Sequence, residues 1–182
     1  MTRKYPYYPS FDGKGPKAGT EKFMELCAAR WKCKSLGIYQ VRLMRNDHTK
    51  NMKPTDPEAG KWLSTHATGA AVDCQYPNEK VARQMWDWFL GSSEIDGKTV
   101  QHSEFLDIVE IHWYAFGDFG AGYRSSRGEG KAGVKIFTKD DNAGSYQGSP
   151  SWLHVEIGTV LADNPAELER RWRSLPKPPP LG

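Results

Sequence analysis

The sequence contains no apolar run of about 20 residues, which is the length that a membrane-spanning helix needs. Its first residues, Met1 to Pro6, also lack the apolar stretch that is typical of a secretory signal. We therefore expect no integral membrane segment and synthesis in the cytoplasm.

Cysteine is scarce as well, because the chain has only Cys27, Cys33 and Cys74. Their number and spacing do not fit a cysteine-rich zinc module, and an odd count argues against a full disulfide scheme, so we expect buried free thiols.

A large excess of one charge is also absent, since 25 Lys and Arg residues against 22 Asp and Glu residues give a net charge of +3. That balance does not indicate a dedicated nucleic-acid-binding protein, and we expect no nucleic-acid partner, but it suits contact with an anionic polymer.

Aromatic residues are abundant. Seven tryptophans, eight tyrosines and seven phenylalanines supply enough apolar area for one core, which predicts a single compact domain. Composition divides the chain into an irregular N-terminal arm over residues 1–19, one domain over residues 20–175 and a proline-rich tail or linker over residues 176–182.

Periodicity and turn residues predict helices and short strands in alternation. We expect one helix from Thr20 that stops by Gly37, a second between Asn78 and Gly91, and a last one that begins at Asn164. The predicted strands cover residues 38–44, 105–114, 134–137 and 152–157, with a polar loop over residues 45–60 and a mobile glycine-rich loop over residues 117–133. This order predicts an α+β fold built on a small, mostly antiparallel sheet flanked by helices.

The most informative segment has the pattern Ser64-x-His66-x-x-Gly69-x-Ala71-x-Asp73. A zinc site needs imidazole nitrogen and carboxylate oxygen at about 2.0–2.2 Å from one ion, and Gly69 permits the turn that would bring two such ligands together. Ala71 and Asp73 share one face of an extended strand, so the small side chain leaves space beside the ligand. The alternative is a capped turn with a surface histidine, but five fixed positions coincide by chance only on the order of once in ten thousand chains.

A catalytic zinc site takes a third protein ligand and leaves a fourth position for water. His154 is the preferred third ligand because it lies in a short apolar run that a strand can bring against the first pair. Glu156 lies on the same strand face and is placed to orient a ligand or to act on the bound water. His112, also in a predicted strand, is the competing third ligand, whereas His48 and His102 are expected to be solvated.

The motif around His66 and the run Ser151-Trp-Leu-His154-Val-Glu156 together resemble the zinc peptidases of the D-Ala-D-Ala carboxypeptidase and VanY-like group. This group includes phage endolysins that cut peptidoglycan peptides. The resemblance covers roughly residues 36–158. It implies the fold of those peptidases, His66, Asp73 and His154 as ligands of Zn²⁺, and bacterial peptidoglycan as the partner. We expect a monomer that is made in the host cytoplasm and acts at the bacterial cell wall after release.

An upstream segment, Gly37-Ile-Tyr39-Gln-Val-Arg42, also resembles a strand of that family. The resemblance implies that Arg42 contacts a carboxylate or carbonyl of the substrate, and the alternative is a surface arginine in an ion pair. A tetrahedral oxyanion needs a hydrogen-bond donor. Arg42 and Ser64 are the predicted donors, although Ser64 can instead simply hold its loop.

One position departs from the family pattern. The resembled family places its catalytic acid three residues before the last histidine, where this chain has Ser151. A hydroxyl cannot act as a base near neutral pH, and help of this kind is worth about 10²–10⁴-fold. Glu156 is the predicted replacement, so Glu156→Gln should stop hydrolysis while zinc stays bound. The alternative function is a non-catalytic wall-binding or phage structural module that has lost the acid.

Overall fold

The structure, a computed structural model, describes residues 3–4, 13–44, 47–141 and 151–181. The described residues have an α+β fold, as the sequence predicts. Its helices are α1 (Ala18–Trp31), α2 (Glu79–Phe89), the single turn α3 (His102–Phe105) and α4 (Pro165–Ser174). Its strands are β1 (Lys34–Gly37), β2 (Ala71–Gln75), β3 (Ser92–Ile95), β4 (Lys98–Gln101), β5 (Ile108–Trp113), β6 (Ala121–Arg124), β7 (Val134–Ile136) and β8 (Trp152–Ile157).

Six of these strands form one sheet in the order β1-β2-β8-β5-β6-β7, and every neighbouring pair is antiparallel. Strands β3 and β4 form a separate hairpin. The late strand β8 lies between β2 and β5, so the sheet joins segments that are about 80 residues apart in the chain. This insertion brings residues of the two predicted metal-binding segments onto adjacent strands.

One face of the sheet carries the hydrophobic core. Alternate residues such as Val72, Ile111 and Leu153 are buried against the helices. The helices contribute an aromatic cluster in which Phe23 lies 5.5 Å from Phe89 between ring centroids, with Trp31 and Trp172 packed edge-on against it. Because the helices cover this face, the polar residues that alternate with the core residues project from the opposite face.

Helix caps read from the sequence are confirmed for two helices. The Asn78 side chain accepts a hydrogen bond from the Val81 amide at 3.0 Å, and Asn164 caps α4 in the same way. The first helix differs, because it begins at Ala18 and ends at Trp31, before the predicted stop at Gly37. Lys32 has left-handed backbone (φ 60°), and the residues that follow pair with the sheet edge instead of extending the helix.

The predicted strand over residues 38–44 is wrong. Strand β1 ends at Gly37, whose φ of +142° takes the chain off the sheet edge. Residues 40–44 stay extended but pair with residues 62–66 through backbone hydrogen bonds, including Ser64 N–H to Arg42 C=O at 2.9 Å. Apolar alternation indicates an extended chain but not its partner, which here is a loop.

The predicted mobile loop over residues 117–133 is also wrong, because it contains β6, in which Tyr123 is fully buried. Glycine suits this strand because a Cβ at Gly122 would lie 2.6 Å from the Phe137 ring and 3.0 Å from the His112 ring. Arg124 pairs with a carboxylate, and Arg127 donates to two backbone carbonyls. Both arginines of this segment are therefore used inside the fold.

The ends of the chain pack on the domain where the structure describes them. Residues 1–2 and 5–12 of the predicted arm and residue 182 of the predicted tail lie outside the described residues. The tail contacts α2, since Trp88 donates its indole N–H to the Pro176 carbonyl at 2.9 Å.

All three cysteines are buried and free, as predicted. Within the described ranges, no helix combines the length and apolarity that crossing a membrane requires.

Candidate metal centre

The polar face of the sheet brings the predicted site residues into register. Asp73 on β2, His154 on β8 and His112 on β5 lie side by side, because each is the direct cross-strand partner of the next. Glu156 and Glu110 pair in the adjacent row, with Arg124 beside Glu110. Directly paired residues of antiparallel strands project from the same face, so these side chains form one polar array.

His66 reaches this array from a short 3₁₀ helix over Thr65–Thr68. Ser64 caps that helix, since its hydroxyl oxygen accepts the His66 amide at 3.4 Å. Gly69 then turns the chain into β2 with a left-handed φ of +74°, and a Cβ there would lie 2.2 Å from the Gly15 carbonyl oxygen. The glycine of the motif is thus required by both its conformation and its close packing.

The His66 ring is oriented by the backbone. Its Nδ1 lies 3.0 Å from the Ile38 carbonyl oxygen, and because a carbonyl only accepts hydrogen bonds, Nδ1 carries the proton. The other nitrogen, Nε2, therefore presents a lone pair toward Asp73 Oδ1, 3.4 Å away. Such a carbonyl contact behind the ring is the usual arrangement around a metal-bound histidine.

His66, Asp73 and His154 can hold a metal ion, because one ligand atom from each lies within 4.8 Å of the others. Two ligands of a tetrahedral zinc ion lie about 3.4 Å apart, which is the observed separation of His66 Nε2 and Asp73 Oδ1. His66 Nε2 is buried and has no hydrogen-bond partner among the described residues. A lone pair and a carboxylate oxygen that face each other without a proton between them fit a bound cation.

His154 is tied to two carboxylates. Its Nδ1 lies 2.9 Å from Asp73 Oδ1 and its Nε2 lies 3.1 Å from Glu156 Oε1. Burial alone would lower the pKa of His154, but these hydrogen bonds and charges raise it to about 10. Burial would likewise raise the pKa of Asp73, and the hydrogen bond from His154 lowers it instead. The metal-free site is therefore an imidazolium held between two carboxylates.

The predicted catalytic and substrate-binding residues differ in their burial and in the groups that they contact. Glu156 is buried, and its Oε1 contacts the far side of the His154 ring, so it orients the ring of a candidate metal ligand. Its role as the base stays a prediction. Arg42 is half-buried and makes no ion pair within the described ranges. Ser64 is buried as a helix cap, which matches the loop-holding alternative. Ser151 accepts a hydrogen bond from the Gln75 amide at 3.2 Å.

His112 is not a member of the cluster that could hold a metal ion in the described part of the chain, and the third member of that cluster is His154. The His112 ring uses both nitrogens, with Nε2 at 2.9 Å from Glu110 Oε1 and Nδ1 at 3.0 Å from the Tyr114 hydroxyl. His102 is buried rather than solvated, since it bonds Ser93 and the Trp88 carbonyl. His48 is exposed, as expected.

Tyr114 is a further polar group of the site that no sequence motif predicted. Burial and the charges of Asp73, Glu110 and Glu156 raise the pKa of its hydroxyl, so this group lies close to the metal cluster. The alternation of Glu110, His112 and Tyr114 was the available signal, because residues two apart in a strand share a face. That signal does not say which strand lies beside them.

Comparison of this chain with protein-family models, with curated proteins and with solved structures finds no match.

Proposed function

We propose that this protein is a zinc-dependent peptidase that hydrolyses peptide bonds of bacterial peptidoglycan, in the manner of a phage endolysin. The observation that carries the proposal is the cluster of His66, Asp73 and His154 at the polar face of the sheet, opposite the hydrophobic core. Two imidazoles and one carboxylate are a donor set that suits a catalytic zinc ion. The resemblance of both motif segments to D-Ala-D-Ala carboxypeptidases and VanY-like peptidases supports the reaction and the substrate.

The ligands and their neighbours supply the other requirements of such a site. Bound zinc would polarise the scissile carbonyl and lower the pKa of its water. The Ile38 carbonyl holds the His66 ring, and Glu156 holds the His154 ring. Arg42 offers a guanidinium without an ion-pair partner in the described residues, and its charge offsets part of the rise in the pKa of the Tyr114 hydroxyl. We assign Arg42 to binding a carboxylate or carbonyl of the peptide.

The proposal is tested by incubating zinc-loaded protein with purified peptidoglycan and measuring released amino groups and peptides by mass spectrometry. We expect release that stops when a chelator removes zinc and resumes when zinc is restored. Purified protein that contains less than a few tenths of an equivalent of zinc, without chelator exposure, and that takes none up would contradict the proposal.

A wall-binding module is the second candidate function, and Ser151 favours it. No carboxylate occupies the position of the family's acid, and the Ser151 hydroxyl contacts Gln75. Such a module would sediment with insoluble peptidoglycan and release nothing. An inactive parent that gains hydrolysis on Ser151→Glu would identify a metal-binding scaffold that has lost its acid.

Zinc binding is expected to release about one proton per site at pH 7. The pKa of His154, raised to about 10, keeps this ligand protonated in the metal-free protein, and a ligand nitrogen must lose its proton to bind metal. The apparent affinity should therefore rise about tenfold per pH unit between about pH 5.5 and 7.5. Calorimetric titrations in buffers of different ionisation enthalpy measure the release, and affinity that is independent of pH would contradict it.

Arg42→Met is expected to lower kcat/KM more for a peptide with a free C-terminus than for one whose C-terminus is amidated. If Arg42 binds a substrate carboxylate, the substitution should weaken kcat/KM for a peptide with a free C-terminus by about 10–100-fold, the worth of a charge-assisted hydrogen bond of about 1.5–3 kcal/mol. The matching C-terminally amidated peptide should be affected much less. Equal losses for both peptides would assign Arg42 to the scissile carbonyl instead.

A further inference from the structure

A second chain of polar groups runs beside the metal cluster. Tyr114 Oη lies 3.0 Å from His112 Nδ1, and His112 Nε2 lies 2.9 Å from Glu110 Oε1. The same Glu110 oxygen accepts two hydrogen bonds from Arg124, at 3.0 Å from Nε and 2.6 Å from Nη2. Hydroxyl, imidazole, carboxylate and guanidinium therefore follow one another in a single hydrogen-bonded line.

The hydrogen-bond partners in this line determine which of its atoms carry protons. Glu110 is 3 % exposed, and although burial would raise its pKa, His112 and Arg124 lower it, so the carboxyl is ionised. An ionised carboxylate accepts the Nε2 proton of His112, which leaves Nδ1 as an acceptor for the Tyr114 hydroxyl. This is the order of groups in a catalytic triad: a hydroxyl, an imidazole that can take its proton, and a buried acid that stabilises the imidazolium.

This hydrogen-bonded line is held in place by packing around the His112 ring, and it lies beside the candidate metal cluster. His112 is the cross-strand partner of the ligand His154, with ring centroids 5.8 Å apart. Gly122 lies under its ring, where a Cβ would be 3.0 Å from Cδ2, and Phe137 packs edge-on against it. Such packing leaves the ring one orientation. Tyr114 is at the end of the line, and the charges of Asp73 and Glu156 reach its hydroxyl, where they help to raise its pKa.

We propose that Tyr114 and His112 form the proton shuttle of this peptidase, with Glu110 and Arg124 holding the imidazole. The inference rests on the proposed peptidase function and supplies the group that Ser151 cannot. Tyr114 is the catalytic residue, because its hydroxyl meets the reacting atoms. His112 acts through it as the site where the proton is kept.

The shuttle accounts for both protons of hydrolysis. As the water oxygen bonds to the carbonyl carbon, His112 Nδ1 acts as the base, because it takes the Tyr114 Oη proton in the same step in which Oη receives one from the water. The imidazolium formed is stabilised by Glu110. When the carbon–nitrogen bond breaks, Nδ1 returns its proton to Tyr114, whose hydroxyl gives one to the departing nitrogen. The products are a carboxylic acid and an amine, and the shuttle ends as it began.

The test compares Tyr114→Phe, His112→Gln and the double variant in the zinc-loaded protein. Each single substitution should lower kcat by about 100-fold or more, with zinc content and KM unchanged, because only proton transfer is removed. The double variant should lose no more than either single one, since two members of one shuttle act as a unit. Tyr76→Phe, a matched change on the core side of the sheet, should keep the parent activity.

A second measurement does not depend on turnover. In ¹⁵N-histidine NMR spectra, His112 should have a protonated Nε2 and an acceptor Nδ1, with Tyr114→Phe moving the Nδ1 signal and Glu110→Gln the Nε2 signal. An Nδ1 signal that ignores Tyr114→Phe would overturn the shuttle.

Two kinetic outcomes are decisive as well. If Tyr114→Phe and His112→Gln hydrolyse within about twofold of an active parent, while zinc-saturated Glu156→Gln is inactive, Glu156 is the base and the shuttle alone is wrong. If the parent binds zinc yet cuts no peptidoglycan peptide, the proposed function fails and the shuttle fails with it.

Discussion

Asp73→Ala is expected to abolish tight zinc binding and, with it, hydrolysis. Asp73 Oδ1 is the atom that both other ligands approach, at 3.4 Å from His66 Nε2 and 2.9 Å from His154 Nδ1. Changing a residue that merely orients a ligand costs about 10–100-fold in metal affinity, so loss of the central ligand should cost more than about 100-fold. The stabilisation that zinc gives the folded state, about 2.7 kcal/mol at a free concentration of 100 Kd, should disappear too.

Zinc content after dialysis against low free metal, together with thermal unfolding with and without zinc, measures both effects. His66→Ala and His154→Ala should behave alike, while His48→Ala removes an exposed histidine and should retain one equivalent of zinc. If any of the three ligand variants keeps full zinc occupancy, the substituted residue is not a zinc ligand. If His112→Ala lost zinc and His154→Ala kept it, the third ligand would be reassigned.

Arg3→Ala is expected to cause the largest loss of stability away from the site. The Arg3 guanidinium pairs with Glu129 at 2.5 Å and with Asp107 at 2.9 Å, and it also donates to the Ile108 carbonyl. The two carboxylates are 7 % and 10 % exposed, so removal of the guanidinium leaves buried charges without their cation. Breaking such a pair costs about 3–5 kcal/mol when fully buried, and the partial exposure of Arg3 places the expectation at about 3 kcal/mol.

That loss corresponds to a fall in melting temperature of roughly 6–12 °C for a chain of this size. Chemical denaturation of the zinc-free protein measures it without interference from metal. Lys4→Ala is the matched control, because Lys4 is exposed and adjacent in sequence, and it should change stability by less than about 0.5 kcal/mol. A stability unchanged by Arg3→Ala would mean that the N-terminal arm does not anchor the domain.

Local sequence patterns predicted much of this protein. Asn78 and Asn164 mark helix starts because capping depends on a side chain and backbone amides only three residues away. The α+β class followed from the alternation of element types. The motif from Ser64 to Asp73 predicted two members of the metal cluster, because Gly69 sets the turn between His66 and β2 within a few residues.

Local sequence patterns gave wrong predictions where the structure of a segment depends on contacts with residues distant in the sequence. Residues 38–44 are extended as their apolar alternation suggests, yet they pair with a loop, and the glycine-rich segment around Gly122 is a strand because two aromatic rings fill the space that a side chain would take. His102 is buried for the same kind of reason, since Trp88 and Ser93 bind its ring. None of these partners is a neighbour in the sequence.

The sequence by itself therefore determined the α+β class, the caps of two helices and the His66–Asp73 half of the candidate metal cluster, because each follows from a pattern over a short stretch of chain. Only the tertiary structure showed that His154, and not His112, joins His66 and Asp73 in the candidate cluster, because β8 is inserted between β2 and β5. The same insertion placed Tyr114, His112 and Glu110 beside the metal cluster. Strand order in an antiparallel sheet is set by side-chain packing between segments distant in the chain, and no local pattern encodes it.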